Sequence, residues 1–241
     1  MQALKSIRGF TLVELAMVLF VVSLLLGGLL VPLATQIEAR QRSDAEEQLD
    51  RIREALIGFA IINGRLPCHT TVSDPASINY GLEDPTPCNP STATAGWTGD
   101  GILPWKTLGL NNALDPWGVQ RTASTDAWTG YLRYRVHSSF ASTFTLSTNP
   151  ATNKLCILDA GGNLLNSTSE NPVAIIYSTG ANQVADSLNS TYEATSTSTD
   201  CVNNTPITYQ GGPASVNFDD ITSWLTRPLL FNRLVSAGVL P

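Results

Sequence analysis

The sequence has few basic residues, few histidines and none of the common catalytic motifs. Lysine and arginine total 14 against 20 aspartates and glutamates, so the formal net charge is -6, and the basic residues after Glu54 do not cluster. A nucleic-acid-binding protein needs a basic face, so we predict no nucleic-acid partner. No G-x-S-x-G, P-loop, H-E-x-x-H or Rossmann pattern occurs. The histidines, His69 and His137, do not complete a catalytic set, and we predict that the chain is not an enzyme.

Cysteine is absent before position 68, and the four that follow lack the close C-x-x-C pairs of zinc sites. They are Cys68, Cys88, Cys156 and Cys201. Four cysteines allow three pairings, and we favour Cys68–Cys88 with Cys156–Cys201 because each bridge would close a loop-rich stretch. Such disulfides indicate an oxidising compartment. The alternative is four reduced cysteines buried in a cytosolic domain.

One long run is nearly free of charge. Residues 10–34 read FTLVELAMVLFVVSLLLGGLLVPLA, with Glu14 as their only ionisable side chain. As a helix this run would rise roughly 37 Å, enough to cross a bilayer. Lys5 and Arg8 lie just before it, so the short amino-terminal end is expected to stay cytoplasmic. The sequence therefore predicts one transmembrane helix, with the rest of the chain outside the cytoplasm.

A small residue, Gly9, precedes the apolar run in RGFTLVE over 8–14, whereas an ordinary secretory signal has its small-residue cleavage site after the apolar stretch. This arrangement closely resembles the type III signal of type IV prepilins and pseudopilins. The resemblance implies that a prepilin peptidase removes the leader, 1–9, by cutting between Gly9 and Phe10, and methylates the new amino group of Phe10. It also implies partnership with other pilin or pseudopilin subunits, a precursor in the bacterial inner membrane with a periplasmic carboxy-terminal domain, and a periplasmic or extracellular filament after assembly.

Glu14 is expected to serve assembly. A carboxylate inside hydrocarbon costs about 2.5–3.5 kcal/mol, so such a residue usually has a functional partner. The resemblance implies that this partner is the freed amine of Phe10 on a neighbouring copy, because pairing would remove the penalty of burying the charge. The alternative is that Glu14 lies near the membrane surface and contacts water.

The helix is predicted to continue to about residue 62. Residues 10–34 form its transmembrane and filament-core half, and 35–64 form an amphipathic half that packs on a globular domain. Gly64 and Pro67 mark its end. The apolar stripe of the second half consists of Ile37, Leu49, Ile52, Leu56 and Phe59.

Residues 65–241 are predicted to form one β-rich periplasmic domain. Alternating or β-branched runs indicate strands over 131–137, 143–147, 154–159 and 173–178, and two short helices are predicted near the carboxy terminus. The first would carry Ile221, Trp224 and Leu225, and the second would begin near Pro228 and stop at Gly238. The predicted fold is α+β: a pilin-like long amino-terminal helix, transmembrane and then amphipathic, packed on a small antiparallel sheet with long disulfide-stapled loops.

A second resemblance lies in this domain. The segments ILPWKTLGL (102–110), DPWG (115–118) and YLRY (131–134) are similar to segments of bacterial prepilin-like proteins, and DPWG is similar to an element of major pseudopilins of type II secretion. Trp105 and Trp117 are expected to pack on the sheet. Asp219 and Asp220 suggest a calcium site, since calcium prefers oxygen ligands; the alternative is that they cap a helix, and we assign no metal ligand.

These features together predict a structural subunit, either a minor pilin or a pseudopilin. It would belong to a type IV pilus or a type II secretion pseudopilus and would assemble through its hydrophobic amino-terminal helix after leader cleavage. The alternative is a membrane-anchored periplasmic binding or adhesion domain that does not polymerise. No cofactor is required by either function.

Overall fold

The computed structural model describes residues 11–85, 101–118, 129–150, 155–166, 172–192 and 208–240, without the side chains of 26–34 and 191–192. Contacts divide the chain into two compact units, Met1–Gln41 and Arg42–Pro241. The fold is α+β, as predicted. Its helices are α1 (Leu12–Asn63), a 3-10 helix (Ser138–Phe140), α2 (Ser187–Tyr192) and α3 (Arg227–Ser236). Its strands are β1 (Gly101–Ile102), β2 (Arg133–Val136), β3 (Cys156–Leu158), β4 (Pro172–Ser178), β5 (Thr208–Gln210) and β6 (Ile221–Thr226).

The long first helix agrees with its predicted bounds. α1 begins at Leu12 and ends at Asn63, one residue beyond the predicted end. Gly64 stops it in the left-handed conformation, with φ of +67°, and donates its N–H to the carbonyl of Ala60 at 2.9 Å. Glycine is favoured there because it has no Cβ to strain the left-handed backbone.

The predicted transmembrane character of this helix is not supported. Within the described residues, no helix is both long enough and apolar enough to cross a membrane. The prediction of a single-pass inner-membrane protein with a periplasmic domain is corrected by the same finding.

The later part of α1 supplies one wall of the main core. Its buried positions follow the three- and four-residue spacing of one helix face: Ala45, Leu49, Ile52, Leu56 and Ala60. They share one buried cluster with residues of the sheet, including Tyr134, Ile176 and Leu225. The predicted stripe is thus confirmed at its three central positions, whereas Ile37 is 53% exposed and Phe59 is only half-buried.

The main sheet has four antiparallel strands in the order β1-β2-β4-β6. β4 lies inside this sheet and all of its residues are buried, which explains its nearly continuous apolar sequence PVAIIYS. Three of the predicted strands correspond to β2, β3 and β4. β3 instead pairs with β5 in a separate two-stranded parallel ladder, which the sequence did not predict.

Two predicted elements are wrong, the strand over 143–147 and the helix carrying Ile221, Trp224 and Leu225. Residues 143–147 form no strand; Phe144 packs on Phe140 and Phe231, with ring centroids 5.0 and 5.8 Å away, and a turn follows from Thr145 to Thr148. Residues 221–226 form β6 rather than a helix, and Trp224 is paired with Ile175 of β4. In both places tertiary packing outweighs the local pattern.

The last helix is confirmed. α3 begins after Thr226, whose hydroxyl accepts the N–H of Leu229, and Pro228 lies in the first turn, where its missing N–H has no helical partner to lose. Leu230 and Leu234 are buried in the main core. Gly238 follows the helix with φ of +71°.

Two local contacts fix the segment after α1. Trp105 and Trp117 both pack against the main core, as predicted. Trp105 also covers Gly81 so closely that a Cβ on Gly81 would overlap the indole. Arg65 and Glu83 form a two-point ion pair at 2.7 and 2.8 Å, and Glu83 also accepts the N–H of Cys68 at 2.9 Å. Both contacts tie loop residues 81–83 to the body of the domain.

Candidate functional site

The first candidate site is the exposed apolar part of α1, residues 12–25, which we call the apolar surface. Eleven of its side chains are large and hydrophobic, and each is 43% exposed or more. Leu12 is 85% exposed, Phe20 68% and Leu25 60%, so the exposure extends over all sides of several turns. A helix that is apolar all round is normally buried, and an exposed patch of this kind marks an interaction site.

Glu14 lies in the first turn of this helix and is bonded to Thr11. Its Oε2 accepts the backbone N–H and the hydroxyl of Thr11, both at 3.0 Å, and the Glu14 N–H donates to Oγ1 of Thr11 at 3.3 Å. These reciprocal bonds make a capping box, and the N–H bond from Thr11 contributes most to lowering the pKa of Glu14. The pattern T-x-x-E before an apolar run carried this signal, but our sequence analysis missed it. Gly9 and Phe10 lie outside the described residues.

The cysteines are described only in part. Cys68 and Cys156 are both buried, and both are disulfide-bonded. No disulfide joins two residues within the described ranges, and Cys88 and Cys201 lie outside those ranges. Each predicted pair, Cys68–Cys88 and Cys156–Cys201, has one member outside those ranges, so the predicted stapling of the loops lies outside the described residues.

The second candidate site is a group of three carboxylates. Asp186, just before α2, and Asp219 and Asp220, just before β6, each place an oxygen within 4.8 Å of the others. Asp186 Oδ2 accepts the N–H of Asp219 at 2.9 Å, and Asp220 Oδ2 accepts the N–H of Asp186 at 3.0 Å. Asp220 Oδ2 also accepts a bond from Asn189 at 2.7 Å. The segments before α2 and before β6 are therefore hydrogen-bonded to each other in both directions. Asp219 and Asp220 precede a strand, so neither of them caps a helix as the alternative expected.

Burial and nearby negative charges favour protonation of Asp219 and Asp220. Asp220 is fully buried, and loss of water raises its pKa to about 7, with further upward contributions from the charges of Asp186 and Asp219. Desolvation, and then the nearby Asp186, also raise the pKa of Asp219. Asp219 and Asp220 each have one buried carboxylate oxygen, Oδ1, without a hydrogen-bond partner in the described part of the chain. Unpaired buried oxygens of this kind suit a hard divalent cation such as calcium, which takes oxygen ligands.

The backbone next to the carboxylates is constrained. Gln183 and Ser187 have φ of +59° and +48°, which non-glycine residues rarely adopt. Gln183 is held in place by its side-chain amide, which donates to the carbonyl of Trp117 at 2.6 Å. Gly180 comes so close to Asp219 that a Cβ on Gly180 would lie 2.6 Å from the Asp219 carbonyl oxygen. The loop around Asp186 is thus shaped by tertiary contacts.

The two histidines lie apart from the carboxylates in sequence and are not surface residues. His69 is 2% exposed, and burial, together with the positive charges of Arg135 and Arg133, lowers its pKa to about 3. His137 is also 2% exposed, and its Nδ1 accepts the N–H of Ser139 at the start of the 3-10 helix. This bond gives His137 a structural role.

Comparison with known proteins adds no relatives to this description. No protein family, curated protein or solved structure matches the chain.

Proposed function

We propose that the chain is a structural subunit that assembles with copies of itself or with similar subunits through the apolar surface. The observation that supports this proposal is the exposure of large hydrophobic side chains on all sides of α1 over 12–25. In keeping with the amino-terminal resemblance, the subunit would be a minor pilin or a pseudopilin of a type IV pilus or a type II secretion pseudopilus. Its leader would be removed between Gly9 and Phe10 by a prepilin peptidase.

The energy available from such assembly is large. Complete burial of one Leu, Val, Ile, Phe or Met side chain contributes about 1.5–3 kcal/mol. Burying even half of the eleven large side chains of the apolar surface would contribute on the order of 10 kcal/mol before the costs of association. A partner that supplies this burial therefore has a strong thermodynamic preference over water.

The distribution of the exposed side chains indicates more than one neighbour. A single groove or a single partner helix covers one stripe and leaves the opposite stripe in water. Met17, Val18, Leu19 and Phe20 follow one another through about one helical turn and therefore point to different sides of the helix axis, and each is 58% exposed or more. Several parallel helices packed around each copy, as at the centre of a filament, would cover all of them.

The membrane-anchored binding domain that the sequence also suggested is not carried further. Such a domain would not polymerise, whereas the exposure of α1 on all sides over 12–25 favours assembly with other helices. The filament subunit requires an apolar helix that other helices can cover.

A photo-cross-linking experiment tests this proposal. A photoreactive phenylalanine analogue replaces Phe20 in one variant and Val216 in a control, and both are expressed in full length with a prepilin peptidase. Val216 is fully exposed but belongs to the globular unit. We expect irradiation to give a ladder of multimers for the Phe20 variant and none for the control, together with a mature amino terminus at methylated Phe10 by mass spectrometry. Monomers alone at Phe20 would refute the proposal.

A charge at the same position provides an independent test. Phe20→Arg should abolish multimers that wild-type chains form, because a guanidinium cannot be buried without a partner. Val216→Arg should leave them unchanged. Equal multimer formation by both variants would show that the apolar surface does not mediate assembly.

A further inference from the structure

The first turn of α1 is closed by side chains of its own. The first N–H groups of any helix lack helical partners. Here Thr11 Oγ1 accepts the N–H of Glu14, the carbonyl of Thr11 accepts the N–H of Leu15 at 3.1 Å, and Glu14 satisfies the N–H of Thr11 itself. Both side chains are exposed, so neither is held by packing against the rest of the protein.

We propose that Glu14 contributes to assembly as a positioning residue within its own helix, by holding the first turn of the apolar surface closed together with Thr11. This proposal rests on the proposed function, since it specifies how one residue of the assembling helix acts. In this role position 14 has to supply a hydrogen-bond acceptor and position 11 a hydroxyl, and no cationic partner on another copy is needed.

The bonding of the carboxylate supports this role. Oε2 of Glu14 receives two bonds from Thr11, which lower the pKa of Glu14 and keep the side chain folded back over the helix start. A negative charge in the first turn is also favoured by the helix dipole. A carboxylate already engaged in this way has less to gain from a second partner than a free one.

The position of the box explains why assembly would depend on it. Leu12, Val13 and Leu15 are in the turn that the box closes, and they are 85%, 68% and 57% exposed. Fraying of this turn would release three of the side chains that a neighbouring helix covers. Ordering them again on assembly would cost conformational entropy.

Substitutions separate this mechanism from a charge pair between copies. The box needs an oxygen acceptor at position 14 and a hydroxyl at position 11, so Glu14→Gln and Thr11→Ser should preserve it, whereas Glu14→Ala and Thr11→Val should open it. A charge pair needs only the negative charge, so Glu14→Gln should fail as completely as Glu14→Ala, and Thr11→Val should have no effect.

Amide hydrogen exchange of the full-length monomeric chain in detergent measures the box directly. We expect the amide of Glu14 to exchange about fivefold faster in Thr11→Val and Glu14→Ala, as for loss of a typical helix cap, and within twofold of wild type in Thr11→Ser and Glu14→Gln. Ser23→Ala is the matched control, because Ser23 bonds to Leu19 in the same helix at 2.8 Å without touching the first turn. Unchanged exchange in Thr11→Val would overturn the proposal.

The same variants are then tested for multimers with the cross-linker at Phe20. We expect Glu14→Gln to retain most of the wild-type yield and Glu14→Ala and Thr11→Val to lose it several-fold. Full loss in Glu14→Gln with normal exchange would overturn the assembly part and favour a charge pair. Absence of multimers in wild type would refute the proposed function, while the exchange data would still decide whether the box forms.

Discussion

Replacing His69 by glutamine should change how the stability of the protein depends on pH. His69 is almost completely buried beside Arg133 and Arg135, and its pKa in the folded state is about 3. The unfolded chain binds a proton on this imidazole near pH 6.5. The folded-state pKa is lowered, so the neutral histidine contributes stability that is present above pH 6.5 and is lost as the pH falls toward 3.

The size of the effect follows from these two pKa values. Each unit of pKa difference corresponds to about 1.4 kcal/mol. At pH 5 the histidine is almost fully protonated in the unfolded chain and almost fully neutral in the folded one. The loss of stability at pH 5 therefore corresponds to the full difference of about 1.5 units between the unfolded pKa of about 6.5 and the pH. Wild type should therefore lose about 2 kcal/mol more stability between pH 7.5 and 5 than His69→Gln, which cannot take up this proton.

Urea unfolding of both full-length chains in the same non-ionic detergent, at half-unit steps from pH 7.5 to 5, tests this. The difference between the two curves is the useful quantity, because Asp220, with its raised pKa, acts in the opposite direction in both proteins and stabilises the fold as the pH falls from about 7. Parallel curves, with a difference below about 0.5 kcal/mol throughout, would show that His69 is not held neutral by burial.

Three further predictions concern the globular unit. Gly81→Ala should lower the free energy of unfolding in urea by about 2 kcal/mol or more, because the new Cβ would combine a positive φ with overlap of the Trp105 indole. Gly109→Ala has a similar φ but open space around it and should cost only about 1 kcal/mol. Equal costs for the two variants would rule out the overlap. Glu83→Gln should cost about 1–3 kcal/mol by weakening the ion pair to Arg65, and a cost near zero would contradict its role. Calcium at a hundredfold excess over its dissociation constant should stabilise wild type by about 2.7 kcal/mol and leave Asp220→Asn nearly unchanged, which calorimetry with and without chelator would detect.

The parts of the fold that sequence analysis predicted are those set by local pattern. The bounds of α1 agree because Gly64 provides a stop signal that depends on one residue's backbone freedom. The buried positions Leu49, Ile52 and Leu56 agree because helical spacing determines which side chains share a face. β4 agrees because a short apolar run with β-branched residues suits a strand covered on both faces.

The errors occur where a pattern suits two structures. Ile221, Trp224 and Leu225 are spaced as on a helix, but ITSWLT is also rich in the β-branched and aromatic residues of strands. Pairing with the buried strand β4 decides between them, and that partner lies more than 40 positions earlier in the chain.

The carboxylate site shows most clearly what a sequence leaves undetermined. Asp219 and Asp220 were noticed as neighbours in the chain, but Asp186 was not connected with them, because no pattern relates a loop residue to two others more than thirty positions away. The connection is made by main-chain N–H groups, from Asp219 to Asp186 and from Asp186 to Asp220, and by the strained turn at Gln183 and Ser187. A buried acid with a pKa of about 7 arises only when folding removes its water and brings two like charges close. Such a site follows from the assembled topology, so its chemistry can be derived only after the strands have been placed.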